Sequence, residues 1–243
     1  MSKRLEGRIA LVTGASRGIG RALAHHLATE GATVVAVART QGALEELDDA
    51  VHGACGTRLV LVPEDLRKTD RIDQMAAALY QRFGRLDILV GNAGLLGQLG
   101  PVGHIKPKTF DDVMNTNLRV NWELIRYMDP LLRLSDAGRA VFVTSSVARA
   151  PRAYWGPYAA SKAALEVLVR TWAEEVRQTP LRVNLYDPGG TRTRMREQAF
   201  PGEDPQTLPP PEVHAVPVLD LVDADCPHHG ATIMYREQVA TPL

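Results

Sequence analysis

The chain has little cysteine. Cys55 and Cys226 are its only two, far apart and without metal-ligand spacing. That argues against a disulfide framework or a zinc module and points to two reduced thiols in a cytosolic protein. Cys226, His228 and His229 lie close together near the end. They have no evident fourth ligand, and no metal is expected there. An excess of charge of either sign is also missing, because 28 Lys and Arg balance 28 Asp and Glu. That balance gives no reason to expect a nucleic-acid partner or an anionic membrane surface. No apolar run is long enough to span a bilayer. Residues 1–7 carry no apolar run after their charges, so no secretory signal is expected and the expected location is the cytoplasm. Internal repeats and low-complexity tails are absent too.

What is present is a regular alternation. Short apolar runs at 8–13, 33–38, 58–62, 86–90, 140–144, 181–186 and 232–235 read as strands. Between them, amphipathic stretches at 18–30, 44–51, 69–83, 110–134 and 158–177 read as helices, the fourth with a bend near Pro130. Strands alternating with helices argue for βαβ units and a parallel sheet. The strands are apolar throughout rather than at every second residue, which fits a sheet covered on both faces. The 243 residues, 45% apolar and 23% charged, suit one α/β domain spanning 1–243. The expected fold is a doubly wound, mostly parallel seven-stranded sheet with helices on both faces. Its ligands should bind beyond the carboxyl ends of the strands. One stretch breaks the rhythm. Residues 191–217 hold six prolines, three of them consecutive, and an insertion of this kind reads as a substrate-binding loop or lid.

The motifs fall just after strands. Thr13-Gly14-Ala15-Ser16-Arg17-Gly18-Ile19-Gly20 joins the first strand to the first helix. Glycines permit the tight turn and let a pyrophosphate approach the backbone, and the helix N-terminus offers free N–H groups and a positive dipole end. The spacing is Gly-x-x-x-Gly-x-Gly rather than the commoner Gly-x-Gly-x-x-Gly fingerprint. Its position after an apolar strand makes it a dinucleotide site in a Rossmann-like fold. The second strand ends Val37-Ala38-Arg39-Thr40, without the acid that would bond a ribose 2′-hydroxyl. Arg39 there and Arg17 in the glycine loop are suited to a 2′-phosphate, so NADP(H) is expected rather than NAD(H).

Tyr158 and Lys162, four residues apart on a helix, share a face. A nearby ammonium favours the phenolate, so the pair suits proton transfer, with Lys162 bringing the Tyr158 pKa down. A Ser at the end of the fifth strand, Ser145 or Ser146, precedes them.

The glycine loop, Asn92-Ala93-Gly94, Tyr158-x-x-x-Lys162 and Pro188-Gly189, in this order, resemble the short-chain dehydrogenase/reductase family. The resemblance runs from about the first strand to Thr193. It implies that Ser146, the second Ser of Ser-Ser-Val-Ala, holds the substrate oxygen, although the segment from it to Tyr158 is one residue shorter than is common. It implies that Lys162 reaches the nicotinamide ribose and that Asn117 supports a water leading to Lys162. Asn115 and Asn121 are read as solvent-facing or capping. Asp65 accepts from the adenine amino group or caps the next segment, and Leu66 packs on the ring. Asn92, Ala93 and Gly94 leave room for the ribose, and Asn92 also steadies the sheet. Pro188, Gly189 and Thr191 or Thr193 surround the nicotinamide amide. The expected activity is transfer of hydride between NADP(H) and a carbonyl or secondary-alcohol substrate, with Tyr158 as general acid or base. Tyr154, Trp155, Leu95, Leu96, Leu99, Met195 and Phe200 are candidates for an apolar cleft. The Tyr–Lys spacing excludes the enoyl-reductase branch, and the length and glycine spacing exclude the larger sugar-epimerase branch. An NADP(H)-binding sensor with little turnover is the alternative class. Relatives are dimers or tetramers packed through their two long helices, and a homo-dimer or homo-tetramer is expected here. The end after Gly230 lacks the family's usual Gly-Gly.

Overall fold

A computed structural model of the protein describes residues 3–68 and 70–235. Thr69, the expected start of the third helix, and the chain from residue 236 lie outside the described residues. The strands are β1 (Ile9–Thr13), β2 (Thr33–Ala38), β3 (Val60–Pro63), β4 (Ile88–Gly91), β5 (Arg139–Val143), β6 (Arg182–Asp187) and β7 (Thr232–Met234). Among the described residues they form one seven-stranded sheet in the order β3-β2-β1-β4-β5-β6-β7. Every pairing is parallel.

The helices are α1 (Gly18–Thr29), α2 (Gln41–Cys55), α3 (Asp70–Phe83), α4 (Pro107–Met114), α5 (Val120–Leu132), α6 (Gly156–Val176), α7 (Arg194–Ala199) and α8 (Ala215–Val222). Two cores flank the sheet. Ala10 and Val12 of β1 face α1, α2 and α8, whereas Ile9 and Leu11 face α3, α5 and α6. This is the period-two alternation of a strand, with apolar side chains on both faces because both are covered. The strand order reverses between β1 and β4, and that reversal opens the crevice in which such sheets bind ligands.

Two departures from the expected elements bear on the site. The single helix expected over 110–134 is α4 and α5 joined by a π-helical segment, Asn115–Arg119. The interruption is therefore at Asn117 rather than at Pro130, which sits inside α5. The Pro-rich stretch holds α7 and the first residues of α8. Four prolines over 205–211 hid both helices from a pattern reading, because proline removes a backbone donor and restricts its predecessor.

Candidate active site

A cleft of about 600 Å³ runs along the carboxyl ends of the strands. Nearly all of the expected site residues line it: Gly14, Ser16, Arg17, Gly18, Ile19, Arg39, Asp65, Leu66, Asn92, Ala93, Gly94, Ser145, Ser146, Tyr158, Lys162, Pro188, Gly189, Thr191 and Thr193. Gly20 and Asn117 stand behind the wall and serve it structurally.

The glycine loop is held by backbone and by Asn92. Gly14 and Gly18 take positive φ, 67° and 54°. A Cβ on Gly20 would lie 2.3 Å from the Gly14 carbonyl oxygen and 2.4 Å from Asn92 Nδ2. Asn92 Nδ2 donates to the Thr13 carbonyl at 2.9 Å, and Thr13 Oγ1 accepts from the amides of Asn92 and Ala93 at 3.0 and 3.1 Å. Arg17, the N-cap of α1, makes no side-chain cap, so no side chain at that position competes for the first amides of the helix. This cradle fits a pyrophosphate. Arg17 and Arg39 lie exposed on the adjoining wall. The Asp65 carboxylate is gripped by Arg67 (2.6 Å), which holds it below its ordinary pKa.

At the other end of the cleft the polar groups are buried. Tyr158 is 7% exposed and Lys162 3%. Burial pushes the Tyr158 phenol up to about 12; a hydrogen bond with the Ser145 side chain opposes this, and Asp187 adds to it. Lys162 was expected to bring the phenol down, but its Nζ lies 5.9 Å from the Tyr158 ring centroid and donates to the Val143 carbonyl at 2.7 Å. Burial lowers Lys162 to about 8, against the pull of Asp187 and Glu166. Ser145, two residues past β5 and in extended conformation, is the serine whose side chain opposes the rise of the Tyr158 phenol. Ser146 is exposed and opens a short turn. The family pattern points to Ser146; both serines line the cleft, and Ser145 is the more shielded of the two.

Asn117 is fully buried and its side chain is fully used. Nδ2 donates to the Leu95 carbonyl and to Ser161 Oγ, both at 2.9 Å, while Oδ1 accepts from the Leu95 amide at 2.7 Å. It thus ties the loop after β4 to α6. Its own carbonyl accepts from Asn121 Nδ2 at 2.8 Å. Asn121 is 1% exposed, which corrects the reading of it as solvent-facing or capping. It stands one helical turn after Asn117 and shares its inward face.

A set of charges beneath Tyr158 and Lys162 had no counterpart among the expected site residues. Arg149 bridges Glu166 and Asp187. Glu166 also accepts from Thr144 Oγ1 and Arg170, each at 2.9 Å, and Asp187 Oδ1 accepts from the Gly189 amide at 3.1 Å. Glu166 lies one turn beyond Lys162 on the Tyr158–Lys162 face. That spacing was the available signal.

The apolar lining is partly as expected. Leu95, Leu96, Trp155 and Met195 line the cleft. Leu99 packs behind them, and Phe200 stacks on Trp155 with centroids 5.7 Å apart. Tyr154 is 59% exposed. It holds φ at 74°, which non-glycine residues seldom adopt, and its carbonyl accepts from the Gly100 amide at 3.0 Å. His229 is occupied structurally, with one ring nitrogen 2.9 Å from the Ala173 carbonyl and the other 3.3 Å from the Val183 amide. Among the described residues no helix is long and apolar enough to cross a membrane.

A glycine loop at the switch point of a doubly wound sheet, with buried Tyr158 and Lys162 farther along the same cleft, is the arrangement of a dinucleotide-dependent oxidoreductase. The chain belongs to the short-chain dehydrogenase family, whose profile matches residues 8–204. It is 43% identical over 209 residues to the uncharacterized oxidoreductase YciK of Escherichia coli strain K12, covering 85% of this chain and 82% of that protein. It is 32% identical to the NADPH-dependent pterin aldehyde reductase of Arabidopsis thaliana, covering 88% and 87%. The fold superposes with TM-score 0.92 and 40% identity on a short chain dehydrogenase of Escherichia coli CFT073 crystallised in complex with NADPH, covering 96% and 98% of the two chains.

Proposed function

We propose that this protein is an NADP(H)-dependent oxidoreductase that interconverts a carbonyl compound and its alcohol, acting in reduction on a substrate with an apolar body. The observation that carries the reading is the burial of Tyr158 and Lys162 together, with the half-buried Ser145 beside them, in the cleft whose wall also holds Arg17 and Arg39. Bound along the cleft, NADP(H) would supply the hydride chemistry. Gly14, Ser16, Gly18 and Ile19 would hold its pyrophosphate, Arg17 and Arg39 its 2′-phosphate, and Asp65 and Leu66 its adenine. Asn92, Ala93, Gly94, Lys162, Pro188, Gly189, Thr191 and Thr193 would frame the nicotinamide riboside. The 2′-phosphate assignment is supported by two cations on the wall where the second strand offers no acid.

Ser145 would donate a hydrogen bond to the substrate oxygen. Tyr158 would deliver the proton to that oxygen; with its pKa near 12 the phenol is protonated at neutral pH, which suits the reductive direction. Lys162, still an ammonium at neutral pH, would stabilise the phenolate left behind. Asn117 would act by holding the loop after β4 against α6. Leu95, Leu96, Trp155 and Met195 would bind the apolar body, with the 191–217 insertion as the lid of a single-domain protein. A homo-oligomer is part of the reading. The helices α5 and α6 present Trp122 and Val167, 39% and 65% exposed, as apolar surface that a second copy could cover.

The test is NADPH oxidation, followed by absorbance, against a panel of ketones and aldehydes. Tyr158→Phe is expected to lower kcat by ~10³-fold while NADPH binding stays within a few-fold. Undiminished turnover by that variant would overturn the mechanism. Tight NADPH binding without turnover of any panel member would favour the sensor.

A further inference from the structure

A second buried polar chain lies on the nicotinamide side of the cleft, and nothing in the mechanism above uses it. His214 is fully buried, as is Tyr186, and Thr191 is 4% exposed. His214 Nδ1 lies 2.8 Å from the Tyr186 hydroxyl and Nε2 lies 2.7 Å from Thr191 Oγ1. Thr191 Oγ1 in turn lies 3.3 Å from the Pro188 carbonyl, to which it donates. The Tyr235 ring packs edge-on against the imidazole, centroids 4.8 Å apart.

The proton inventory gives the chain a direction. Burial lowers the His214 pKa to about 4, so the ring is neutral, with one donor and one acceptor. If Nδ1 carried the proton, the Tyr186 hydroxyl hydrogen would have no acceptor among the described residues, and a buried unpaired donor is costly. With the proton on Nε2 every group is satisfied. Tyr186 donates to Nδ1, Nε2–H donates to Thr191, and Thr191 donates to Pro188.

The placement of these three residues matters. Tyr186 lies in β6, inside the sheet. Thr191 and His214 are 23 positions apart and stand at the two feet of the Pro-rich excursion. Pro188 to Thr193 is the stretch read above as framing the nicotinamide. We infer that His214 is a positioning residue that staples both feet of the insertion to the sheet and thereby fixes the nicotinamide-framing loop. The Thr191 hydroxyl is then spent on the staple, and the Thr193 hydroxyl donates back to the Thr191 carbonyl at 3.3 Å. Thr193 Oγ1 caps α7 through the Arg196 amide at 3.3 Å.

This inference rests on the NADP(H) reading, and the test separates the two. Binding of NADPH and of 2′,5′-ADP, which lacks the nicotinamide half, is measured by titration calorimetry on the full chain and on Thr191→Val, Tyr186→Phe and Thr191→Ser. Melting temperatures are recorded alongside. Thr191→Val is expected to weaken NADPH binding by ~10-fold, the scale of one buried hydrogen bond, and to leave 2′,5′-ADP within about twofold. Tyr186→Phe shifts NADPH in the same direction by less. Thr191→Ser, which keeps the hydroxyl, restores NADPH affinity. A merely structural role would lower the melting temperature and weaken both ligands together. That outcome, or unchanged NADPH affinity in Thr191→Val, overturns the inference and leaves the NADP(H) reading standing. An unsubstituted protein that binds neither ligand overturns both.

Discussion

The two ends of the cleft are built by different physics. At the adenosine end, backbone does the work: a tight turn between β1 and α1, glycines with no room for a side chain, and free amides at a helix start. Arg17 and Arg39 are exposed there and flank that backbone. At the nicotinamide end, buried side chains do the work. Tyr158, Lys162, Glu166 and Asp187 are all under a tenth exposed, and Arg149 and His214 connect them or their loops to distant elements. The first end is local in sequence and tolerant of solvent. The second depends on residues tens of positions apart, and each of its charges is affordable only with its partner in place.

That contrast can be sharpened first at Ser145. Ser145→Ala should cost ~10²–10³-fold in kcat, as loss of a donor to the developing oxyanion does. Ser146→Ala should stay within about threefold. The reverse order in steady-state kinetics would restore the family-pattern assignment. Arg149→Leu is the next largest effect. It leaves Glu166 and Asp187 buried without their shared cation, and denaturant unfolding should report a loss of about 3 kcal/mol. A loss under about 0.5 kcal/mol, the scale of a surface pair, would break the distinction drawn between the two ends.

Arg39→Asp should matter less and act only at the adenosine end. It should move the NADPH-to-NADH ratio of kcat/KM toward NADH by ~10–100-fold, with no change in melting temperature beyond a few degrees. An unchanged ratio would remove Arg39 from the 2′-phosphate site.

Lys162 gives the most diagnostic effect, because function and stability pull apart. Its folded pKa, about 8, lies below the ordinary 10.5. The unfolded chain therefore binds more protons between those values, and this group's contribution to stability rises with pH across that window. Lys162→Met should abolish that rise and be more stable at pH 7 by ~1–3 kcal/mol, while turnover is lost. Turnover of the unsubstituted protein should fall as pH rises through about 8. A melting temperature that drops in Lys162→Met would show that the lysine is held there as a structural ion pair.

Much of this was legible in the residues. The strands announced themselves because a sheet covered on both faces must be apolar throughout, and β2 falls at the expected residues, Thr33–Ala38. The glycine loop and the Tyr158–Lys162 spacing were readable because local geometry demands those residue types. Ser145 was hidden because two adjacent hydroxyls are equivalent in a pattern and differ only in which way the strand end points. Asn121 was misread because its polarity was taken for exposure, although it stands one helical turn after Asn117 and shares its buried face. Helices α7 and α8 were hidden by proline. Arg149, Glu166, Asp187 and His214 carried no motif at all.

By itself, then, the sequence determined the layered α/β architecture, the tight glycine turn between β1 and α1 and the residues that face one another a helical turn apart, because each depends on neighbours within a few positions. Only the tertiary structure decided which serine meets Tyr158, that burial rather than Lys162 dominates the phenol, and that Thr191 turns away to His214. Those outcomes depend on desolvation and on hydrogen-bond partners brought together from separate elements. Neither exists until the chain has folded.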